Sequence, residues 1–305
     1  MNKYRFYLIA LLLASLAHSG EYWNVALGAS SMKMLSMPAE PRQAALAGAG
    51  VASPKNAGEA FRNPLAGAAV DYSTLSFSRT EFSNLIGANR VSMMAHTMLG
   101  SWHLTVGMEA LNYDKIQGYT EDGLTSNGLF FSAGAIAMQF GTAKSFNSLS
   151  AGLTARYANQ NIESHNVEGV LFDGGVKYDL LKNFSFGAIF SNFGWLSSST
   201  EAEEIAPLLF QAGITASHAL PLDFTGALST DLYRRTDSKI ELRTGLEFIY
   251  KELFSLRFGY PVSGSINDAL CAGFAVKLGA VAVEYAYQNR TVLEANHIFG
   301  ITLDF

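Results

Sequence analysis

From about Val70 to the C-terminus, apolar and polar residues alternate along a series of short segments. One face of a representative segment carries Trp102, Leu104, Val106, Met108 and Ala110. The opposite face carries His103, Thr105, Gly107 and Glu109. Side chains of a β-strand point alternately to its two faces, so this period of two predicts strands with one apolar face and one polar, hydrated face.

The alternating segments number about 14, an even count of the kind found in bacterial outer-membrane barrels. We predict them near residues 70–79, 90–98, 101–110, 129–140, 148–157, 169–179, 184–191, 208–218, 222–232, 239–250, 253–260, 269–278, 280–288 and 296–305. Short links are expected near residues 99–100, 141–147, 181–183, 220–221, 251–252 and 279. Long links are expected at residues 111–128, 158–168, 192–207, 261–268 and 289–295.

The alternation of short and long links separates two architectures that both contain alternating strands. Outer-membrane barrels have short periplasmic turns and longer outer loops, whereas a soluble sandwich has no reason to sort its connections by parity. In lipid, every backbone N–H and C=O group needs a partner, so strands cross a membrane only as a closed barrel. We therefore predict an all-β, transmembrane antiparallel barrel of about 14 strands in the bacterial outer membrane.

The composition agrees with a membrane barrel. Charged residues make up only 15% of the 305 residues, whereas a typical soluble domain has about 25%. Beyond residue 20, no uncharged apolar run approaches the ~18 residues of a membrane helix, so the apolar residues are dispersed among strands. The net charge of −5 without a basic stripe argues against nucleic acid as a partner, and the single Cys271 offers neither a disulfide nor a zinc cluster.

The first residues have the pattern of an export signal. Lys3 and Arg5 precede the apolar stretch 6–13, and Ser15 and Ala17 then fit a small-x-small cleavage pattern. We expect cleavage after Ala17. The predicted organisation is a signal peptide at residues 1–17, an N-terminal hatch or plug at residues 18–69, and the transmembrane β-barrel at residues 70–305.

The stretch before the barrel is irregular and rich in Ala, Gly and Pro. Its candidate hatch residues are Arg42, Gly48, Gly50, Asn63 and Pro64. Gly48 and Gly50 alone suggest a phosphate loop, but the strand–turn–helix context with a third glycine does not follow, so that match is weak. The small residues instead favour a segment folded tightly inside a barrel.

The predicted polar faces carry charged residues and glycines. The lumen-facing candidates are Glu109, Arg156, Asp173, Lys177, Arg243, Glu247 and Arg257. They either bind a polar ligand or pair with one another and with a plug; pairing is favoured because opposite charges in a confined space attract strongly. The glycines include Gly107, Gly152, Gly175, Gly187, Gly213, Gly245, Gly259, Gly273 and Gly300. They either make room for a plug or an elongated ligand, or relieve curvature in a small barrel.

The segment before the barrel also resembles a known family. Leu35, Pro38 and Arg42, followed by the Ala- and Gly-rich run 44–49 and by Asn63-Pro64, resemble the hatch of FadL-like barrels and most of all the PorV/PorQ family. The resemblance implies a plugged barrel of the predicted size that works with the type IX secretion system. In that family, one branch binds the C-terminal signal domains of cargo, and the other is a membrane component of the surface attachment complex.

Signals for catalysis are weak. The sequence has neither Gly-x-Ser-x-Gly nor His-Glu-x-x-His, and its histidines are scattered. We therefore predict a non-enzymatic protein without catalytic, cofactor-binding or metal sites. Phe305, the last residue of an alternating strand, is the candidate signal for the barrel-assembly machinery.

Three functions compete, and the resemblance favours the first, with the second as the alternative. The first is a type IX secretion accessory, whose partners are outer-membrane lipid, secretion-system proteins and cargo C-terminal domains. The second is a FadL-like channel whose partner is a hydrophobic small molecule. The third is a purely structural barrel.

Overall fold

The computed structural model describes residues 25–82, 87–119, 126–200, 203–262, 270–289 and 295–305. The predicted signal peptide and most of the predicted links at 261–268 and 289–295 lie outside these residues. In the part of the chain that is described, no helix is long and apolar enough to span a membrane.

The described residues form 16 strands. They are β1 (Thr74–Glu81), β2 (Ala88–Leu99), β3 (Trp102–Tyr113), β4 (Ile116–Tyr119), β5 (Ser126–Phe131), β6 (Ala133–Phe146), β7 (Leu149–Ile162), β8 (His165–Leu181), β9 (Phe184–Ser198), β10 (Leu209–Leu220), β11 (Phe224–Arg235), β12 (Glu241–Tyr250), β13 (Phe254–Val262), β14 (Cys271–Leu278), β15 (Val281–Gln288) and β16 (Asn296–Asp304). A closed barrel of 14 strands runs in the order β1-β16-β15-β14-β13-β12-β11-β10-β9-β8-β7-β6-β3-β2, and β4 and β5 form a separate hairpin. The predicted fold class and barrel strand count are confirmed.

The two faces of the wall differ as the alternation predicts. A row of exposed side chains crosses neighbouring strands in register: Phe77, Met93, Met108, Met138 and Tyr157. The adjacent row points inward and is buried: Ser78, Ser92, Glu109, Ala137 and Ala158. Closure of the sheet pairs β1 with both β2 and β16, so no barrel edge strand is left unpaired.

One predicted long link is a tight turn. We expected a loop at residues 158–168, but β7 runs to Ile162 and β8 begins at His165. The strand continues through Asn159, Gln160 and Asn161, where both faces are polar. The period of two therefore disappears from the sequence although the backbone ladder continues.

Three other connections also differ from the prediction. The expected turn at residues 141–147 is mostly part of β6, because polar Thr142 and Lys144 interrupt the apolar alternation on its outer face. The expected loop at residues 192–207 begins as β9, which runs to Ser198 beyond an irregularity in its pairing with β8. The expected loop at residues 111–128 contains the end of β3, all of β4 and the start of β5.

The barrel has two distinct ends. We call the end with the turns at residues 100–101, 147–148 and 279–280 the short-turn end, and the opposite end the long-loop end. At the short-turn end, Asn147 adopts a φ of 53°, the left-handed conformation that asparagine tolerates well in tight turns.

Helical turns precede the first strand and lie inside the barrel. Helix α1 (Pro41–Ala45) packs against β13, β14, β15 and β16, with a proline at its first turn. The 3₁₀ turn Ala57–Phe61 packs against β1, β2 and β3, and the turn Ala66–Ala69 packs against β3, β6 and β7. We call residues 37–69 the plug, and residues 28–36, which lead to it from the long-loop end, the entrance segment.

Candidate functional site: the plugged lumen

The inner wall approaches the plug backbone closely at its glycines. A Cβ at Gly152 would lie 2.1 Å from the carbonyl oxygen of Pro64, and a Cβ at Gly259 would lie 2.3 Å from the carbonyl carbon of Leu46. Further close approaches to plug atoms occur at Gly107, Gly175, Gly187, Gly245, Gly273 and Gly300, whereas Gly213 faces Asp231. Of the two interpretations of these glycines, the structure favours the one in which they make room for a plug.

Arg42 lies at the centre of a buried ion network between α1 and the wall. Its Nε and Nη2 donate to the two carboxylate oxygens of Glu247 at 3.0 and 2.8 Å, and its Nη1 donates to Glu59 at 3.2 Å. Glu247 also accepts from Nε of Arg257 at 2.7 Å, and Arg257 pairs in turn with Glu284. Residues of the plug and of β12, β13 and β15 thus share one set of charges.

Arg62 forms a second link between the plug and the wall. Its Nη1 and Nη2 donate to both carboxylate oxygens of Glu109 on β3, at 3.0 and 2.8 Å. The same guanidinium donates to the backbone carbonyls of Met34, Met37 and Phe61. This fork therefore fixes the plug chain on both sides of α1 to one strand.

Arg156 on β7 forms a third link. It donates to Asp173 at 2.8 Å, to Gln139 at 2.9 Å and to the carbonyl of Phe61 at 2.7 Å. It also donates to Asn192 at 2.8 Å, at the irregularity in β9. Four neighbouring strands are held to the plug through this one side chain.

Asp231 on β11 holds the glycine turn that follows α1. One of its oxygens accepts from the backbone N–H groups of Gly50 and Val51 at 2.8 and 2.9 Å, and from Nε2 of Gln211 at 2.7 Å. Gly50 has a φ of 102°, a conformation that side chains other than glycine rarely adopt. The glycine here serves a tight turn against an acidic wall residue rather than a phosphate.

The other candidate hatch residues also face the wall or brace the plug. Gly48, with a φ of 82°, leaves space for the guanidinium of Arg243, which stacks 3.3 Å from the ring centroid of Tyr233 and pairs with Glu241 at 2.8 Å. Asn63 donates to a backbone carbonyl within the plug at 3.1 Å.

Lys177 is a lumen-facing candidate near the short-turn end of β8. It pairs at 3.0 Å with Asp179 on its own strand, near the short-turn end. Sequence alternation placed it on the polar face, but alternation carries no information about height along the barrel axis.

These charge networks fix the position of the plug more than they stabilise the fold. The desolvation penalty of burying two charges offsets much of the energy of their attraction, so a buried ion pair is weak evidence for net stability. Removal of one partner is a different matter, because it leaves an uncompensated buried charge at a cost of about 3–5 kcal/mol. The networks therefore penalise any movement of the plug that separates the partners.

Glu40 at the start of α1 is a buried carboxyl group without an arginine of its own. Burial raises its pKa, with further contributions from the nearby carboxylates of Glu284 and Glu59, to about 8. Arg90 opposes this shift but does not cancel it. The plug thus contains one carboxyl group that takes up a proton near neutral pH.

A polar crevice remains between the plug and the wall on the side of β9 to β12. It holds about 30 Å³ and is lined in part by Ser36, Gln43, Asn63, Gln211 and Tyr233. Among the described residues, Oε1 of Gln43 finds no hydrogen-bond partner. The space suits one or two water molecules that hydrogen-bond to such groups.

The inner wall has an apolar patch on the long-loop side of the Arg62 and Arg156 networks. Six inward side chains from β2, β3, β6, β7 and β8 form what we call the apolar compartment: Ala88, Leu111, Ala137, Ala158, Val167 and Leu171. Met32, Met34 and Leu35 of the entrance segment fill it and are at most 3% exposed. Burial of such side chains is worth about 1.5–3 kcal/mol each.

Several functional residues were missed by sequence reasoning. Glu59 had a signal, because Asn56 and Glu59 have the spacing of a capping box, and the structure contains that box. Asp231 and Glu284 also had one, since both alternate with apolar residues on predicted strands. No sequence signal marked Arg62, because the irregular plug sequence has no periodicity that predicts which way its side chain points.

The described residues contain no group of three or more His, Cys, Asp or Glu side chains that could hold a metal ion. Phe305 lies exposed at the short-turn end, and its backbone N–H donates to the carbonyl of Ser73 at 2.8 Å.

The fold, a closed barrel with an N-terminal plug packed into its lumen, is similar to that of solved outer-membrane barrel structures. The toluene transporter TbuX of Ralstonia pickettii matches with a TM-score of 0.61 and 11% identity, covering 87% of this chain and 98% of that one. The toluene transporter TodX of Pseudomonas putida matches with a TM-score of 0.60 and 11% identity, covering 87% and 98%. At this identity the similarity establishes the fold. No protein-family model matches the chain, and no curated protein matches it.

Proposed function

We propose that this protein is a FadL-like outer-membrane channel for small hydrophobic molecules. The apolar compartment carries this proposal. Water-filled barrels have polar interiors, whereas here Leu111, Val167 and Leu171 turn apolar side chains away from lipid and into the lumen. Apolar surface inside a barrel requires an apolar occupant, because its exposure to water costs free energy.

The fold of the structural neighbours supports this proposal over the other functions. TbuX and TodX are both toluene transporters. In the present protein the plug closes the polar side of the lumen, so the proposed channel opens only when part of the plug or the entrance segment moves.

Uptake by whole cells tests the proposal. A strain that lacks the gene should lose most of its uptake of radiolabelled toluene and n-octane at low external concentration, and the wild-type gene should restore it. A Val167→Trp variant, which fills the apolar compartment, should not restore uptake. The matched control is Leu153→Trp on the lipid-facing side of β7, which should restore it. Unchanged uptake in the deletion strain would reject the channel.

The proposal includes the organisation and location of the chain. Residues 1–17 are the signal peptide, residues 18–69 the hatch, and residues 70–305 the barrel, with the short-turn end facing the periplasm. Phe305 is proposed as the assembly signal, so Phe305→Ala should lower the amount of protein in outer-membrane fractions without lowering the stability of protein refolded in detergent. A mature protein that stays monomeric in buffer without detergent would contradict the outer-membrane location.

A second candidate function is that of a type IX secretion accessory of the PorV/PorQ kind. It rests on the motif at residues 35–67, in which Arg42, the run 44–49 and Asn63-Pro64 resemble that family's hatch. Deletion of the gene should then strip secreted cargo from the cell surface while hydrophobic uptake stays normal. The two proposals thus predict opposite results in the same deletion strain.

A further inference from the structure

A groove runs across the lipid-facing side of β2, β3, β6 and β7. Two small, exposed residues form its floor, Ala95 on β2 and Ala155 on β7. Each lies beside a larger outward side chain of the neighbouring strand, Val106 for Ala95 and Phe140 for Ala155. The groove holds about 520 Å³. Its outward side chains are mostly apolar, so apolar groups fill it in preference to water.

A lysine lies on the same outer face, nearer the short-turn end. Lys144 is on β6 and shares its face with Phe146. Its Nζ lies 4.7 Å from the ring centroid of Trp102 on β3 and 5.4 Å from that of Phe146. The faces of the two rings attract the ammonium group and fix its position, but they do not neutralise its charge.

Lys144 also differs from other lysines near the short-turn end in its charge partners. Within the described ranges of the chain, no carboxylate forms an ion pair with Lys144. Three other lysines each pair with one: Lys177 with Asp179 at 3.0 Å, Lys251 with Asp223 at 3.1 Å and Lys277 with Asp304 at 2.8 Å. Lys144 therefore offers an uncompensated positive charge to the lipid headgroups around this end of the barrel.

The distance between Lys144 and the groove matches the dimensions of a lipid. On β6, the groove residues Phe140 and Met138 lie four and six positions from Lys144. With a rise of about 3.3 Å per residue and a strand tilt of about 40°, this separation is about 10–15 Å along the membrane normal. Half of the hydrocarbon core is about 15 Å thick. A lipid whose headgroup is at Lys144 therefore has its acyl chain at the level of the groove.

We infer that the outer face of β2, β3, β6 and β7 is the binding site of one anionic phospholipid of the periplasmic leaflet. Its phosphate pairs with the ammonium group of Lys144, and an acyl chain lies in the groove. Hydrogen bonds between two charged groups are short and strong. The inference depends on the outer-membrane location proposed above, but it is independent of what the channel carries.

A second copy of the barrel fits this face less well than a lipid does. Contact between two such faces would place Lys144 against an apolar wall, and a buried charge without a partner is costly. A lipid brings the phosphate and the apolar chain together in one molecule. An anionic headgroup is favoured over a zwitterionic one, because a zwitterionic headgroup carries its own cation beside the phosphate.

Native mass spectrometry of the mature barrel tests the phosphate contact. The barrel is extracted from nanodiscs made of equal parts phosphatidylglycerol and phosphatidylcholine. We expect the wild type to retain one phosphatidylglycerol molecule in preference to phosphatidylcholine. Lys144→Gln should lower this retention on the order of fivefold, as one lysine at an anionic membrane surface contributes. Lys144→Arg should retain the lipid, because it keeps the charge.

The matched control for Lys144→Gln is Lys182→Gln. Lys182 is exposed on the turn between β8 and β9, at the same end of the barrel but away from Trp102. This variant loses the same charge and should retain phosphatidylglycerol as the wild type does. Equal retention by the wild type and Lys144→Gln would overturn the inference. An equal loss in Lys182→Gln would do so too, because it would show a general effect of surface charge.

The groove is tested separately from the lysine. Ala155→Leu fills the groove while Lys144 stays in place, so it should also lower lipid retention. Its control is Ala272→Leu on the outer face of β14, which should leave retention unchanged. Normal retention in Ala155→Leu would refute binding of the acyl chain in the groove. A wild-type barrel that retains no lipid and forms a dimer through this face would assign the face to a second copy instead.

Discussion

The plug and the entrance segment are neighbours in the chain, yet the wall holds them by different forces. Around the plug, buried guanidinium groups such as Arg42 and Arg62 pair with carboxylates of both plug and wall, and wall glycines admit the plug backbone. Around the entrance segment, apolar side chains fill an aliphatic compartment, and Ser30 binds the buried carboxylate of Asp237. Displacement of a charge network leaves buried charges without their specific partners. Apolar contacts are not directional, so an apolar compartment accepts any apolar group of similar shape.

This difference assigns different roles to the two regions. Moving the plug would separate Arg42 from Glu247 within a medium of low dielectric, which is expensive. Moving the entrance segment would break its apolar contacts and the hydrogen bonds between Ser30 and Asp237. The structure thus combines a plug held largely by buried charges with an entrance segment held by apolar contacts and hydrogen bonds, and the two can be tested separately.

The largest effect is expected from Arg42→Ala. This change leaves Glu59 and Glu247 buried without their shared cation, at a cost of about 3–5 kcal/mol in the free energy of unfolding. The measurement is urea unfolding of the refolded barrel in detergent, followed by the loss of its heat-modifiable band on a gel.

The matched control for Arg42→Ala is Arg79→Ala on the outer surface. Arg79 pairs with Glu81, but the two side chains are 54% and 50% exposed, and such a pair contributes below about 1 kcal/mol. If the two variants lost the same stability, the plug would not be held by its buried charges, and the contrast between plug and entrance segment would fail.

A smaller loss is expected from Gly152→Ala. Its Cβ would lie 2.1 Å from the carbonyl oxygen of Pro64, and overpacking of this kind costs about 1–3 kcal/mol. Gly174→Ala, on the neighbouring strand and facing outward, is the control, since its Cβ meets nothing nearer than 3.6 Å. Equal stability of the two variants would show that the plug backbone shifts freely against the wall.

The sequence predicts the wall far better than the contacts of the plug. Glu109, Arg156, Asp173, Glu247 and Arg257 all alternate with apolar residues, and a period of two fixes the face on which each lies. For the same reason the number of barrel strands could be counted from the sequence. Strand ends could not, because β7 and β8 continue through polar residues such as Asn159 and Asn161, where the alternation is lost.

The partners of the wall charges depend on how the plug sits in the lumen. The pair Arg62–Glu109 joins residues 47 positions apart, and the plug residues between them follow no period that fixes their direction. The apolar compartment was missed for a related reason. Its members Ala137, Ala158 and Leu171 lie in phase with polar residues, and only the closed barrel shows that they form one surface.

A separate effect is a dependence of stability on pH that arises in the plug. The pKa of Glu40 is raised to about 8 in the folded protein from an ordinary value of 4.5. An acid with a raised pKa keeps its proton in the folded state while the unfolded chain releases it, so the unfolded chain binds fewer protons in this range. Stability is therefore expected to fall as pH rises from about 4.5 to about 8, and to level off above that.

Glu40→Gln removes this titration while it keeps the size of the side chain. We expect the variant to unfold at a higher temperature than the wild type at pH 8, and the difference to shrink steadily towards pH 5. Heat-modifiable migration on gels, measured across this range, compares the two proteins directly. A constant difference at all pH values would mean that the proton is not taken up at Glu40. A difference that grows towards pH 5 would mean that the pKa of Glu40 is lowered rather than raised. Glu40 would then be an ionised carboxylate in the plug and an additional partner of Arg90.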